Sequence, residues 1–300
     1  MSGFDAFVAI DWSGAKGPGY KGIAVAMCAP GGAPPYLVRP GHRWTRTEIA
    51  EWLEGKLQGA ERLLVGFDFA FAWPLGARGY RGLDGTSTWS VFDLWDAIED
   101  SSGGEDDFGC QAVVDHKRFA PLFWTDKDRI MPMDWRPGIR QAECACIGET
   151  GARPESVFKL VGPKQVGKAA LTGMRVLRHL RIGNEDRVSV WPYEPARDSV
   201  LVEIFPTLFR KQALGKLDKI RDLTSLDRAL AHFGAHPFGD RDLAKSDHNT
   251  DALLSAAALR DLATREPTLL ADTEDEVVRR EGWIFGVPLP NAAHKRNRAA

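Results

Sequence analysis

Phe7-Val8-Ala9-Ile10-Asp11, Leu63-Leu64-Val65-Gly66-Phe67-Asp68 and Val200-Leu201-Val202-Glu203 share one layout, a short continuous apolar run that ends on an acid. Runs of this length read as strands buried on both faces of an at least partly parallel sheet. A fourth acid, Asp251, opens an alanine- and leucine-rich helical stretch over residues 252–262. In open α/β sheets, ligands sit beyond the carboxyl ends of the strands. Carboxylates gathered there repel one another unless a cation neutralises them. The pattern points to a divalent-metal site.

Working outward, the Asp11 strand begins near residue 4 and runs into Trp12-Ser13-Gly14-Ala15-Lys16-Gly17-Pro18-Gly19. That glycine-rich turn leads to a second apolar strand at 22–27, which predicts a hairpin. A short third strand is expected at 36–39. Thr45-Arg46-Thr47-Glu48 then reads as a capping box for a helix through about residue 57. The Asp68 strand follows and is expected to lie parallel to the first. From 73 to about 186 the rhythm changes. Tryptophan-bearing and basic helices and an acidic loop predict a largely helical insertion within a single domain spanning 1–300. Strands near 188–191 and 199–205 come next, followed by helices near 208–217 and 225–233, the Asp251 helix, and an acidic helix near 274–281.

Composition sets limits. With 300 residues and 44% hydrophobic content, the chain has material for a substantial core. Nothing before the first strand resembles a signal peptide, and no segment approaches the roughly 18 apolar residues of a membrane span. The four cysteines lack CxxC spacing, so reduced thiols and a cytoplasmic location are expected. A net charge of −2 argues against non-specific coating of nucleic acid. The charges are segregated, however. Residues 93–107 hold seven acids and no base, whereas residues 153–181 hold seven bases and one acid. The basic stretch reads either as a solvated helix face or as a track for a phosphate backbone.

A β1 hairpin strand ending in Asp, a second Asp after the first helix and a late helical acid resemble the ribonuclease H-like arrangement. More specifically, the chain resembles a predicted-nuclease family of that superfold, catalogued as domain of unknown function 429. The resemblance rests on Ala9-Ile10-Asp11-Trp12-Ser13-Gly14, Gly66-Phe67-Asp68-Phe69-Ala70, Phe158-Lys159 with Gly162 to Gly167, Val202-Glu203-Ile204-Phe205-Pro206, residues 247–257 and Glu281-Gly282-Trp283-Ile284. It implies an α/β fold with a ribonuclease H-like mixed sheet flanked by helices, and nuclease activity.

Phosphodiester hydrolysis requires an activated water and neutralisation of charge on the phosphoryl and leaving oxygens, which two Mg²⁺ or Mn²⁺ ions supply. Asp11 is expected to bridge two ions, with Asp68, Glu203 and Asp251 completing their shells. Asp247, one turn earlier, could replace Asp251, although Ser246-Asp247-His248-Asn249 reads more simply as a helix cap. Ser13, Gly14, Lys159, Lys164 and Lys168 are the expected phosphate contacts, and nucleic acid the expected partner. Gly162 to Ala169 misses the P-loop pattern only at Ala169, which lacks the hydroxyl that would meet Mg²⁺. The alternative to a phosphodiesterase is a non-catalytic module that binds a nucleotide or a partner on the same fold.

Overall fold

The computed structural model describes residues 3–17, 19–76, 80, 88–125, 138–152, 154–161 and 165–290. Its centre is a six-stranded sheet in the order β3-β2-β1-β4-β6-β5, built from β1 (Ala6–Asp11), β2 (Ala24–Cys28), β3 (Tyr36–Leu37), β4 (Leu63–Phe67), β5 (Val188–Val190) and β6 (Ser199–Glu203). β2 runs antiparallel to both of its neighbours, β1 and β3, while β4, β6 and β5 continue from β1 in parallel. The apolar runs are long enough to be buried on both faces, and all six residues of β1 and all five of β4 and β6 are.

Alternation along the strands sorts the core into two layers. Val8, Ile10, Val65, Phe67 and Leu201 face one side, together with Ile49 and Leu53 of α1 (Arg46–Leu57) and Leu171, Met174 and Leu177 of α5 (Val166–Gly183). Phe7, Ala9, Leu64, Val200 and Val202 face the other, against α6 (Pro206–Leu214), α7 (Leu223–His232) and α8 (Asp247–Arg265). The small residues Ala252, Ser255 and Ala256 are all buried in α8, which packs on β1 and β2. The expected capping box opens α1, with the Glu48 amide donating to Thr45 Oγ1 at 3.1 Å and the Thr45 amide to Glu48 Oε2 at 2.7 Å.

Between β4 and α5 lie α2 (Val91–Ser101), α3 (Gln111–Asp115) and α4 (Gln141–Thr150). The basic helix assigned from sequence to the insertion is α5, and it belongs to the sheet-covering layer beside α1. Beyond α8 lies α9 (Glu276–Glu281). Among the described residues, no helix is long and apolar enough to cross a membrane.

Gly173 shows how closely α5 approaches the sheet. A Cβ there would lie 2.3–2.5 Å from ring atoms of Phe69, the residue after Asp68. Gly173→Ala should gain about 1 kcal/mol in helix propensity yet lose more by overpacking, about 1–3 kcal/mol. Net destabilisation in urea unfolding is the expected result; a more stable variant would show that the α5–sheet contact is loose.

Candidate functional site

Parallel pairing of β1 and β4 sets the site's centre. The Asp68 amide donates to the Ile10 carbonyl at 3.0 Å, so the acids that end the two apolar runs sit side by side at the carboxyl edge. Asp11 has the strand parity of Phe7 and Ala9, which directs it to the α8 face. There α8 contributes Asp251 and His248, and His248 Nδ1 lies 2.6 Å from Asp11 Oδ2. Asp251 is 1% exposed and meets two cations, Arg210 of α6 and Lys219 of the α6–α7 connection. The Asp68 carboxylate has no hydrogen-bond or ion-pair partner among the described residues, although it borders the cleft.

The electrostatics follow from this geometry. Burial holds the Asp68 carboxyl well above the usual carboxylate range, and the charges of Asp11 and Asp251 push it further, against the pull of Lys219 and Arg210. Asp11 is also raised, chiefly by burial and then by Asp251, with the His248 hydrogen bond opposing. His248 is raised mainly by its hydrogen bond to Asp11, against the effect of its own burial. Three aspartates therefore share one field, offset by Arg210, Lys219 and His248.

Glu203 does not join them. Counting from Leu201, its parity places it on the α1/α5 side of the sheet, opposite to Asp11. It is bound instead by the fully buried Arg140, whose Nη1 donates to Glu203 Oε2 at 2.8 Å, and by the Phe71 amide at 3.0 Å. Arg140 also holds Glu143 through Nε at 2.9 Å and the Glu281 carbonyl at 2.9 Å. This network ties β6, α4 and the end of α9 together. The structure thus pairs the Glu203 carboxylate, expected to complete the metal shells, with Arg140, while Glu203 lines the same cleft as Asp68. Asp247 pairs with the exposed Arg221 at 3.2 Å, leaving Asp251 as the helical acid in the group.

A cleft of about 710 Å³ opens over Asp68 and is lined in part by Ser13, Gly14, Lys168, Arg210 and Lys219. The expected contacts Ser13, Gly14 and Lys168 therefore share the opening with Asp68. A Cβ on Gly14 would fall 2.2 Å from the Ala169 amide nitrogen, so the hairpin turn can touch α5 only as glycine. Lys159 is instead held by Glu155 at 3.0 Å, and Lys164 lies outside the described residues, as do Gly162 and Pro163 of the P-loop-like stretch. The remaining bases of that stretch are largely spent on the acidic run: Arg175 binds Glu99 at 2.6 Å and Arg178 binds Asp96 at 2.6 Å. Two ion pairs thus join the two charge runs, while Arg181 pairs with Glu194 outside the acidic run.

The sequence reading missed Arg210, Lys219 and the Asp11 partnership of His248. Nothing in the local pattern marks the two cations, whereas His248 was visible as one helical turn's neighbour of Asp251. Among the described residues, no three His, Cys, Asp or Glu side chains are gathered closely enough to hold a metal ion as they stand. The donor set is nonetheless of the kind a hard divalent cation takes: three carboxylates, one of them unpartnered among the described residues and held at a raised pKa. No family model matches the chain, and no curated protein or solved structure matches it significantly.

Two variants separate the roles of the acids. Asp68 and His248 both have raised native pKa values, so each adds stability at low pH that is lost as pH rises through its native value. Metal-free protein should therefore melt at higher temperature as pH falls from 8 toward 5, and Asp68→Asn should melt higher than wild type at pH 8 with a flatter pH profile. An unchanged profile would show that Asp68 is not under strain. Glu203→Gln should instead cost about 3 kcal/mol in urea unfolding, because Arg140 loses a buried partner. Its response to Mn²⁺ should remain that of wild type.

Proposed function

We propose that the protein is a metal-dependent phosphodiesterase with nucleic acid as its substrate, built on a ribonuclease H-like sheet. The observation that carries this reading is the Asp68 carboxylate, without a partner among the described residues, beside Asp11 and Asp251 at the floor of a cleft with a cationic rim. Several features support the fold assignment. Three antiparallel hairpin strands are followed by parallel ones, and acids sit at the end of β1, directly after β4 and on the late helix α8. The resemblance to the family catalogued as domain of unknown function 429 points the same way.

Asp11, Asp68 and Asp251 would hold Mg²⁺ or Mn²⁺, which supplies charge neutralisation and an acidified water when bound. The chain's own residues do the rest. Ser13 and the backbone of Gly14 offer donors to a phosphate on the cleft wall, and Lys168 adds a point charge beside them. The first turn of α5, with no side-chain cap at Gln165, opens on the same wall and favours an anion. His248 orients the Asp11 carboxylate through its Nδ1 contact, and its side chain is 41% exposed, so it can exchange a proton with solvent.

The test is Asp11→Asn, assayed on a labelled oligonucleotide and in thermal melts. Millimolar Mn²⁺ should raise the melting temperature of wild type but scarcely that of the variant, since a ligand stabilises only as far as it binds the native state. Mn²⁺-dependent cleavage should fall by at least about 10²-fold. If wild type shows neither a metal response nor cleavage, the paired state of Asp251 favours the second reading, a non-catalytic module that binds a nucleotide or partner in the cleft.

A further inference from the structure

We propose that Lys219 is a tethered cation, bound to Asp251 in the metal-free protein and released to the cleft rim when a divalent cation is taken up. The proposal rests on the metal-site reading above and adds a positioning residue to it.

Asp251 is almost fully buried, and a carboxylate so placed needs compensating charge. Two cations provide it, and they differ in how firmly they are held. Arg210 has a side chain only 3% exposed and is fixed by a second hydrogen bond, from Nη2 to Thr207 Oγ1 at 2.6 Å. Lys219 bonds Asp251 from the α6–α7 connection, outside any helix, with a side chain 42% exposed. Releasing it requires little desolvated surface to change, whereas releasing Arg210 would leave a buried guanidinium unpaired.

Charge balance gives the direction. Three carboxylates face Arg210, Lys219 and, when protonated, His248. A divalent cation added to that set would bring two more positive charges next to the Lys219 ammonium, which at contact distances is strongly unfavourable. Lys219 is the cation of the set that can leave for solvent at small cost. It lines the same cleft as Asp68, Ser13 and Lys168, so the ammonium that leaves Asp251 stays where a phosphate oxygen would need it. One side chain would thus serve two anions in turn.

Two measurements test this without relying on cleavage. Isothermal titration with Mn²⁺ at low ionic strength should show Lys219→Met binding about tenfold tighter than wild type, because the competing charge is gone. Lys219→Arg should bind no more tightly than wild type. Equal or weaker binding by Lys219→Met overturns the tethered-cation role while leaving the metal site intact. Absence of Mn²⁺ binding by every protein removes the metal-site reading and this inference with it. On unmodified protein, acylation of Lys219 by an N-hydroxysuccinimide ester, read by mass spectrometry, should rise when Mn²⁺ is added. Labelling that stays constant or falls would overturn the release, whether or not the variants fold.

Discussion

The β1–β4 pairing is the constraint on which the rest of the site depends. Once the Asp68 amide is bonded to the Ile10 carbonyl, the carboxylates of Asp11 and Asp68 are neighbours at one edge of a sheet packed with apolar side chains on both faces. Their repulsion is a consequence of backbone hydrogen bonding, so neither residue can relieve it by moving far. Laying α8 across β1 and β2 then adds Asp251 to the same field. Three later side chains compensate these charges: Arg210 from the helix after β6, Lys219 from the next connection, and His248 one turn before Asp251. Among the described residues Asp68 receives no partner, and it is also the aspartate of the group that borders the cleft.

The walls of that cleft are fixed by a second set of interactions centred on Arg46, the first residue of α1. Its guanidinium is buried, lies 4.2 Å from the Tyr20 ring centroid and donates to the carbonyls of Ser13, Ala15 and Asp107. Asp107 in turn accepts from the Thr47 amide at 2.8 Å and from Tyr20. The glycine-rich turn after β1 is thereby clamped between α1 and the acidic loop, with Gly14 pressed against α5. A turn held this way presents Ser13 at a defined place, which a free glycine loop could not do.

Much of this was legible in the sequence, and the failures have identifiable physical causes. Uninterrupted apolar runs announced β1, β4 and β6, the capping box announced α1, and the acids ending those runs marked the carboxyl edge. The Arg140 partnership of Glu203 was not legible because Val200, Leu201 and Val202 are all apolar: alternation is invisible in a strand buried on both faces, so the side of the sheet to which its last residue turns cannot be read from the run itself. The pairing between the two charge runs was not legible for a different reason. Residues 93–107 and 153–181 are distant in sequence, and only the packing of α2 against α5 shows that Glu99 and Asp96 meet Arg175 and Arg178. Arg210 and Lys219 had no local signal at all, because their role is defined by a carboxylate 41 and 32 residues away in the chain.

The two buried charge clusters at this end of the sheet behave differently because their cations differ. Around Glu203, one immobile arginine with no exposed surface distributes its donors over Glu203, Glu143 and a backbone carbonyl, and removing any partner leaves the others under-compensated. Such a cluster resists rearrangement and suits a fixed junction of β6, α4 and α9. Around Asp251, the compensation is divided between a buried arginine and a half-exposed lysine, so part of it can be exchanged without exposing an unpaired charge. The first arrangement is a staple and the second is suited to exchange. The cleft runs over both, and the second presents to it Asp68, an acid that no described residue has already satisfied.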